Sequence, residues 1–306
     1  MNDITKELLK VVSDYDGEFK GAYNIREDGQ CAGRKSSENI EIKSKEGKPG
    51  LDIFVKPNTK GETVFIPACV TKAGIDDLVY NDFYIGEGSD VVIVAGCGVH
   101  VYSEEEEARH NGIHRFFMEK DSHVKYVEKH IGTGAPRANR VIDPVTNAYL
   151  KEGAVLEMDT TQIKGVEKTT RKTSAEVGEG AKLVIREKIM TDDNDIAETD
   201  FEVSLNGENS GADVVSRSVA CGNSKQTFRS KIIGNNVCAG HTECDAIIAD
   251  NGKVLAIPEL EANSKEASLI HEAAIGKIAG EQIIKLQTLG LTEEEAEEKI
   301  IAGFLK

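Results

Sequence analysis

The chain has 306 residues, with 53 Asp or Glu against 37 Lys or Arg, and a formal net charge of −16. That negative charge argues against binding to nucleic acid or to an anionic membrane surface, because both attract Lys and Arg. No apolar run approaches the roughly 20 residues that cross a bilayer, so we expect a soluble, cytoplasmic protein with no membrane partner. Aromatic residues make up 5% of the chain and Trp is absent, so the core must consist of Val, Ile, Leu and Ala.

The N-terminal segment, residues 1–50, is predicted to be a short helix followed by irregular chain. Ile4, Leu8 and Val12 fall on one face of a helix over residues 3–14, together with Val11. The stretch from Asn24 to Gly50 is polar and rich in turn-forming residues, which predicts irregular structure.

Residues 51–260 have a sequence pattern typical of β-strands. The apolar runs are four to eight residues long and rich in β-branched side chains, as is typical of strands. The runs are Leu51–Val55, Thr63–Pro67, Val91–Ala95, Val124–Ile131, Val155–Met158, Leu183–Ile189, Phe201–Leu205, Val214–Val219, Ile247–Ile248 and Val254–Ile257.

A four-residue polar motif precedes many of these runs and recurs about every 30 residues, a spacing typical of repeat architectures. Its copies are Gly86–Ser89, Glu119–Ser122, Lys151–Ala154, Gly178–Ala181 and Gly207–Ser210. Helical patterns are nearly absent between the runs, which argues against βαβ crossovers. The sequence therefore predicts a mainly β fold: a right-handed parallel β-helix, with a β-sandwich as the alternative.

Residues 261–306 are predicted to form a small C-terminal helical module. Asn263 or Ser264 could cap a first helix, with Ala267, Ile270, Ala274 and Ile278 at helical spacing and Gly290 as its stop. The run Thr292–Glu295 is a capping box that opens a last helix.

The change from strand to helix pattern falls within Cys238–Glu272, which contains a candidate sulfur or metal site. Cys244 has the polar neighbours Glu243 and Asp245. A single Cys is most often a buried apolar group, and nearby carboxylates raise its pKa. A bound metal would nevertheless deprotonate it. His271 and Glu272 are adjacent on the predicted helix, where successive side chains diverge by about 100°, so we expect one to face the core and the other to face outward.

A second set comprises Cys97, His100, His110 and His114, whose spacing resembles that of zinc ligands. Residues three apart on a strand face opposite sides, which counts against a shared site. The chain contains neither G-x-G-x-x-G nor G-x-x-x-x-G-K-[ST], so no nucleotide site is predicted.

Several segments resemble the SufB/SufD family of iron–sulfur cluster assembly scaffolds, in particular a short, single-component branch of it. They are Tyr23–Gly29, Gly96–His100, Ser230–Gly234, Ala239–Asp245, Ile257–Glu261, Leu269–Ala273, Gly290–Ala296 and Ala302–Phe304.

The resemblance implies a non-enzymatic scaffold that works as a homodimer with a SufC-like ABC-type ATPase, a sulfur donor and apo-protein acceptors. It implies that Cys244 accepts sulfur and binds iron, with Glu272 and His271 beside it, in a transient [4Fe-4S] cluster. It also implies that the ATPase docks on the C-terminal helices, where Ile283, Leu286, Ile300 and Phe304 are the expected contacts.

Two other classes of function remain open at this point. One is a carbohydrate-active β-solenoid enzyme that uses paired carboxylates, although such enzymes usually need aromatic residues to hold the sugar. The other is a purely structural adaptor for the ATPase.

Overall fold

A computed structural model describes residues 1–306 and confirms a β-solenoid of about eight turns with a short N-terminal helix and C-terminal helices. Strands of successive coils alternate between two facing sheets, here called sheet A and sheet B. Sheet A contains β1 (Ala22–Glu27), β2 (Gln30–Lys35), β5 (Lys60–Phe65), β6 (Ala68–Val70), β8 (Asp90–Val101), β10 (His123–Gly134), β13 (Val155–Ile163), β15 (Lys182–Thr191), β17 (Ser210–Ala220), β19 (Cys238–Ile248) and β21 (Ala267–Gly276). Sheet B contains β3 (Ile40–Ser44), β4 (Gly50–Val55), β7 (Asp76–Ile85), β9 (Glu107–Met118), β11 (Asn139–Ile142), β12 (Val145–Leu150), β14 (Lys168–Val177), β16 (Ile196–Leu205), β18 (Lys225–Gly234) and β20 (Lys253–Ala262).

The recurring polar motif forms the turns between sheets. Its third residue adopts positive φ in every copy, for example 62° at Gly88 and 54° at Asp121, which explains why Gly, Asp or Asn stands there. Its fourth residue is a buried Ser or Ala, and where it is Ser the hydroxyl donates to the carbonyl oxygen of the first residue, as in Ser122 to Glu119 at 2.6 Å. Each turn also donates a backbone hydrogen bond to the next turn, so the turns stack as the strands do.

The parallel strands pair in register, so inward-facing residues of successive coils form columns along the solenoid axis. One column in sheet A runs Glu128, Thr160, Glu187, Ser216, Cys244. Apolar columns beside it form the main core, which includes Ile93, Tyr126, Ile185 and Val214. This regular stacking excludes the sandwich alternative.

Helix α1 (Asp3–Ser13) lies on the outer face of sheet A and buries Leu8, Leu9 and Val12, whereas Val11 is half exposed. Two glycines of β8 make room for it: a Cβ on Gly96 would lie 2.3 Å from the Val12 carbonyl oxygen. The predicted N-terminal helix is therefore confirmed, and the G-C-G sequence around Cys97 serves its docking.

The prediction of irregular structure over Asn24–Gly50 is wrong, because β1, β2 and β3 lie there. β1 pairs with β2, and β3 with β4, in antiparallel hairpins that close the first end of the solenoid. β2 has no buried residue and β3 buries only Ile40 and Ile42, so these short strands lack the apolar runs that revealed the later strands.

The prediction of a helix beginning at Asn263 or Ser264 is also wrong. β20 continues to Ala262, and β21 pairs in parallel with β19 as a final coil. Only α2 (Gly280–Gln287) and α3 (Glu293–Phe304) are helical, and Thr292 caps α3 through the predicted capping box. The inner face of this last coil is open and only half buried, so its pattern mixes small and polar residues and matched a helix by chance.

Candidate functional site

Cys244 lies on the inner wall of the solenoid, one coil from its open end. It is 1% exposed, and its register neighbours are Ser216 on β17 and Ala273 on β21. Burial, followed by the charges of Glu187 and Asp245, raises the pKa of the thiol to about 12. Without a metal the group is therefore a protonated thiol in a largely apolar wall.

The outer wall of the same two strands carries a separate group of metal-ligating side chains. His241, Glu243 and Glu272 bring ligand atoms within 4.8 Å of one another. The cause is register: Glu243 pairs with Glu272 across β19 and β21, and His241 lies two residues earlier on the same face.

Hydrogen bonds orient the outer group. His241 contacts Asp213 Oδ1 through Nδ1 at 2.8 Å and Glu272 Oε2 through Nε2 at 3.4 Å. The hydrogen bond to Asp213 is the main reason why the pKa of His241 is raised. A hydrogen bond with Asp245 raises the pKa of Glu243. Two carboxylates and an imidazole that share protons in this way are a suitable donor set for a divalent iron ion.

The three residues predicted to act together are thus divided between the two walls. His271 is on the inner face, in register with Thr242, and its Nδ1 is buried without a hydrogen-bond partner. Glu272 is exposed on the outer face. The expectation that one faces in and the other out agrees with this placement, but the cause is strand alternation and not the divergence of helical side chains.

The second predicted set is also divided. His100 points away from the interior and its Nδ1 lies 2.9 Å from Thr133 Oγ1. Cys97, His110 and His114 are buried and line one cavity of about 340 Å³ near the closed end of the solenoid.

A charged network inside the solenoid was not predicted from the sequence. Arg171 forms ion pairs with Glu128 and with Glu187, the latter at 3.4 Å, and all three are buried. Although burial opposes ionisation, the charge of Arg171 holds the pKa of Glu128 well below its usual range. Burial raises the pKa of Glu187, whose carboxylate accepts from Ser216 Oγ at 2.7 Å, next to Cys244 in the column. The available signal was Glu128 and Glu187 at inward positions of otherwise apolar strands.

The last coil is uncovered. β20 and β21 are the terminal strands of their sheets, and several large apolar side chains on them are exposed. These are Leu255, Ile257, Leu260, Ile270 and Ile275.

Helices α2 and α3 follow this coil and pack on each other. The four residues expected to contact an ATPase, Ile283, Leu286, Ile300 and Phe304, are half buried. The more exposed apolar side chains are Ile284 at 61% and Leu289 at 73%. None of the helices is both long enough and apolar enough to cross a lipid bilayer.

Comparison with known proteins gives a consistent result. Residues 81–304 match the family model described as "SUF system FeS cluster assembly, SufBD core domain". An iron–sulfur cluster assembly SufBD family protein of Archaeoglobus fulgidus is 31% identical over 260 residues, covering 84% of this chain and 68% of that protein. One from Methanothermobacter thermautotrophicus is 27% identical, covering 89% and 66%, and one from Methanocaldococcus jannaschii is 26% identical, covering 98% and 96%. The chain thus spans about two thirds of the length of the first two and nearly all of the third.

Proposed function

The chain belongs to the SufBD family of iron–sulfur cluster assembly proteins, and from this premise we propose that it is a non-enzymatic cytoplasmic scaffold on which iron and sulfide are joined into a transient cluster. The observation that supports it best is Cys244 one coil from an uncovered end, with the His241–Glu243–Glu272 group on the other side of the same wall.

Cys244 is the proposed sulfur acceptor and iron ligand. Its raised pKa makes it a poor nucleophile in the resting protein, but an arriving iron ion displaces the thiol proton and forms an iron–thiolate bond. His271 shares the inner wall, on the strand paired with that of Cys244, and offers a buried ring nitrogen without a partner, so it is the proposed imidazole donor. Cys244 and His271 of two chains together provide four ligands, the number that holds an iron–sulfur cluster such as the proposed [4Fe-4S] cargo.

Glu272 has a different proposed part. With His241 and Glu243 it holds incoming iron on the outer wall, where hard oxygen donors and an imidazole receive a hydrated ion. The iron reaches Cys244 only when β21 moves away from β19. β21 ends at Gly276 and α2 begins at Gly280, so force applied to the helices passes directly to the strand that carries His271 and Glu272.

A SufC-like ABC-type ATPase is the proposed source of that force. The chain lacks a nucleotide-binding motif, and the exposed Ile284 of α2, with Leu289 just after the helix, offers a docking face. The half-buried residues Ile283 and Leu286 of α2 and Ile300 and Phe304 of α3 are the proposed support for it. A sulfur donor and apo-protein acceptors complete the proposed set of partners.

The proposed assembly is a homodimer joined through the last coils. Unpaired edge strands with exposed apolar side chains are an energetically unfavourable surface in a lone chain, and a second copy covers them. Replacing Leu260 or Ile257 with Asp is expected to convert the dimer to monomer in sedimentation velocity. A dimer that survives both substitutions would contradict this arrangement.

The decisive experiment is anaerobic reconstitution with iron and sulfide of the wild type, Cys244→Ser and Cys238→Ser. Cys238 is a matched control, because it is a buried inward-facing thiol on the same strand. We expect cluster content to fall at least about tenfold in Cys244→Ser and to stay near the wild-type value in Cys238→Ser. Equal cluster content and spectra in all three proteins would show that Cys244 is not a cluster ligand. The interpretation as a purely structural adaptor for the ATPase would then be favoured.

A further inference from the structure

The cavity of about 340 Å³ near the closed end of the solenoid has a positively charged lining. Its basic lining residues are Arg26, Arg34, Lys45 and Lys48, and no Asp or Glu lines it. This sign is the reverse of that of the whole chain, whose formal net charge is −16. A lining of this sign favours a negatively charged ligand over a metal ion.

Two of the four basic residues are already neutralised by carboxylates that lie outside the lining. Arg26 forms an ion pair with Asp77, with Nη2 at 2.6 Å from Oδ1. Lys45 forms ion pairs with Asp52 and with Asp82, the latter at 2.7 Å. Neither Arg26 nor Lys45 therefore needs a ligand to balance its charge.

The other two basic residues, Arg34 and Lys48, form no ion pair. Arg34 Nε donates to Asn24 Oδ1 and Nη1 donates to Ser44 Oγ, both at 2.8 Å, which fixes the guanidinium and leaves Nη2 unused. Lys48 Nζ lies 4.0 Å from the centre of the Tyr80 ring, a contact that orients the ammonium without neutralising its charge. The cavity thus presents two oriented positive charges that have no carboxylate partner.

The side-chain amide of Asn24 adds a neutral hydrogen-bond donor. Asn24 is 5% exposed and lines the cavity. Because Arg34 Nε can only donate, the contact with it fixes which amide atom is Oδ1 and which is Nδ2. Asn24 Nδ2 makes no hydrogen bond within the chain, so it is available to an oxygen atom in the cavity.

The buried end of the cavity is uncharged. Burial lowers the pKa of His114 to about 4 and raises the pKa of the Cys97 thiol well above its usual range. Both groups are therefore neutral near pH 7, and neither repels an anion. The charge that a ligand meets in this cavity is set by Arg34 and Lys48.

We propose that this cavity binds a small organic dianion whose carboxylate or phosphate oxygens accept from Arg34, Lys48 and Asn24. A guanidinium suits both groups, because its parallel N–H bonds match two oxygen atoms. One water molecule takes about 30 Å³ in the liquid, so the cavity has room for a short carbon body beside the charged group. Leu51 and Ile66 provide apolar contacts for that body. The site lies at the opposite end of the solenoid from the proposed cluster site and does not depend on it.

The test is isothermal titration calorimetry of the full chain with succinate and with glycerol phosphate at low ionic strength. Succinamide and glycerol, which lack the charges, are the matched neutral ligands. The variants are Arg34→Gln, Lys48→Met and the control Lys35→Gln, which removes a positive charge from the exposed neighbour of Arg34 on β2. Urea titration checks that each variant is folded.

We expect saturable binding of succinate or glycerol phosphate, and the tighter of the two identifies the charged group as carboxylate or phosphate. The affinity should fall about tenfold or more in Arg34→Gln, which loses charge-assisted hydrogen bonds. It should fall about two- to fivefold in Lys48→Met, whose ammonium is exposed to solvent. Lys35→Gln should bind as tightly as the wild type.

The proposal is overturned if neither anion binds, or if the neutral ligands bind as tightly as the anions. It is also overturned if a folded Arg34→Gln or Lys48→Met variant binds the anion as tightly as the wild type. Lys48 is an exposed loop residue, so its variant keeps the test informative if Arg34→Gln does not fold.

Discussion

The inner and outer walls of the solenoid place neighbouring residues of the same strands in opposite environments, one buried and one exposed to solvent. The inner wall places Cys244 and the Glu128–Arg171–Glu187 network away from water, so the charged groups there depend on one another for partners. The outer wall holds His241, Glu243 and Glu272 in water, where each group can exchange ligands. In the proposed function, the residues that receive iron and the thiol that binds it are thereby separated by the thickness of one strand.

The largest expected contrast between the walls is in thiol reactivity. A pKa of about 12 at Cys244, against about 8.5 for a free thiol, lowers the thiolate fraction near neutral pH by a factor of about 3,000. In the metal-free protein, iodoacetamide should therefore alkylate Cys244 at least about 1,000 times more slowly than the exposed Cys31, as measured by peptide mass spectrometry over time. Similar rates would mean that the inner wall opens to solvent in the resting state.

The next contrast concerns buried and exposed ion pairs. Arg171→Met leaves two buried carboxylates without their cation and should lower the free energy of unfolding by about 3–5 kcal/mol in urea titrations. Lys120→Met, which breaks the exposed pair with Glu152, should have little measurable effect. A small loss for Arg171→Met would show that the interior contains enough water to replace the ion pair.

A third contrast compares a covered with an uncovered part of the outer surface. Gly96→Ala forces α1 off β8, because the new methyl group would meet Val12, and should cost about 1–3 kcal/mol of unfolding free energy. Gly276→Ala, at the open end, has no atom within 4 Å of the new methyl group and is the matched control. Equal stabilities of the two variants would contradict the docking of α1.

The smallest expected contrast is in histidine titration. By NMR of the metal-free protein, His241 should titrate above and His271 below the value of about 6.5 of a free histidine, because His241 has carboxylate partners and His271 is desolvated. The contribution of His241 to stability is thus present below pH 6.5 and is lost as pH rises through its folded pKa. His271 has the opposite sign and destabilises the fold as pH falls below 6.5. Identical titration midpoints for His241 and His271 would show that the outer and inner walls do not differ in their effect on histidine pKa at the open end.

Most of the fold could be predicted because the solenoid repeats its local chemistry. The third residue of each polar motif had to be Gly, Asp or Asn, and the run after it had to be β-branched, so five copies revealed the coils. Strands β1, β2, β3 and β21 were missed, since they lie at the ends of the solenoid, bury few side chains and carry no long apolar run, whereas the runs Leu51–Val55 and Val254–Ile257 did reveal β4 and β20.

The residues of the candidate site could be found from sequence, but their arrangement could not. Cys244 and Glu272 were identified, yet only the register of β19 against β21 reveals that they lie on opposite walls. His241 and Glu243 were missed, although the spacing H-x-E on a strand places both on one face. The charged column was missed because the coils differ in length, so a repeat of about 30 residues does not fix which residues pair: Glu128 pairs with Thr160, and Thr160 with Glu187.

The stacked turns, each with its left-handed third residue, have a consequence for how the length of such proteins can vary. Because one coil begins and ends at equivalent points, excising a full repeat, for example from Ala181 to Asn209, joins like to like, leaves every remaining column aligned and keeps the Arg171–Glu128 ion pair. The solenoid becomes shorter by one strand spacing, about 4.8 Å, while Cys244 stays one coil from the open end. Insertions and deletions of whole coils therefore preserve the alignment of the columns. A shift of one residue within a strand instead turns its inward-facing side chains outward and its outward-facing ones inward.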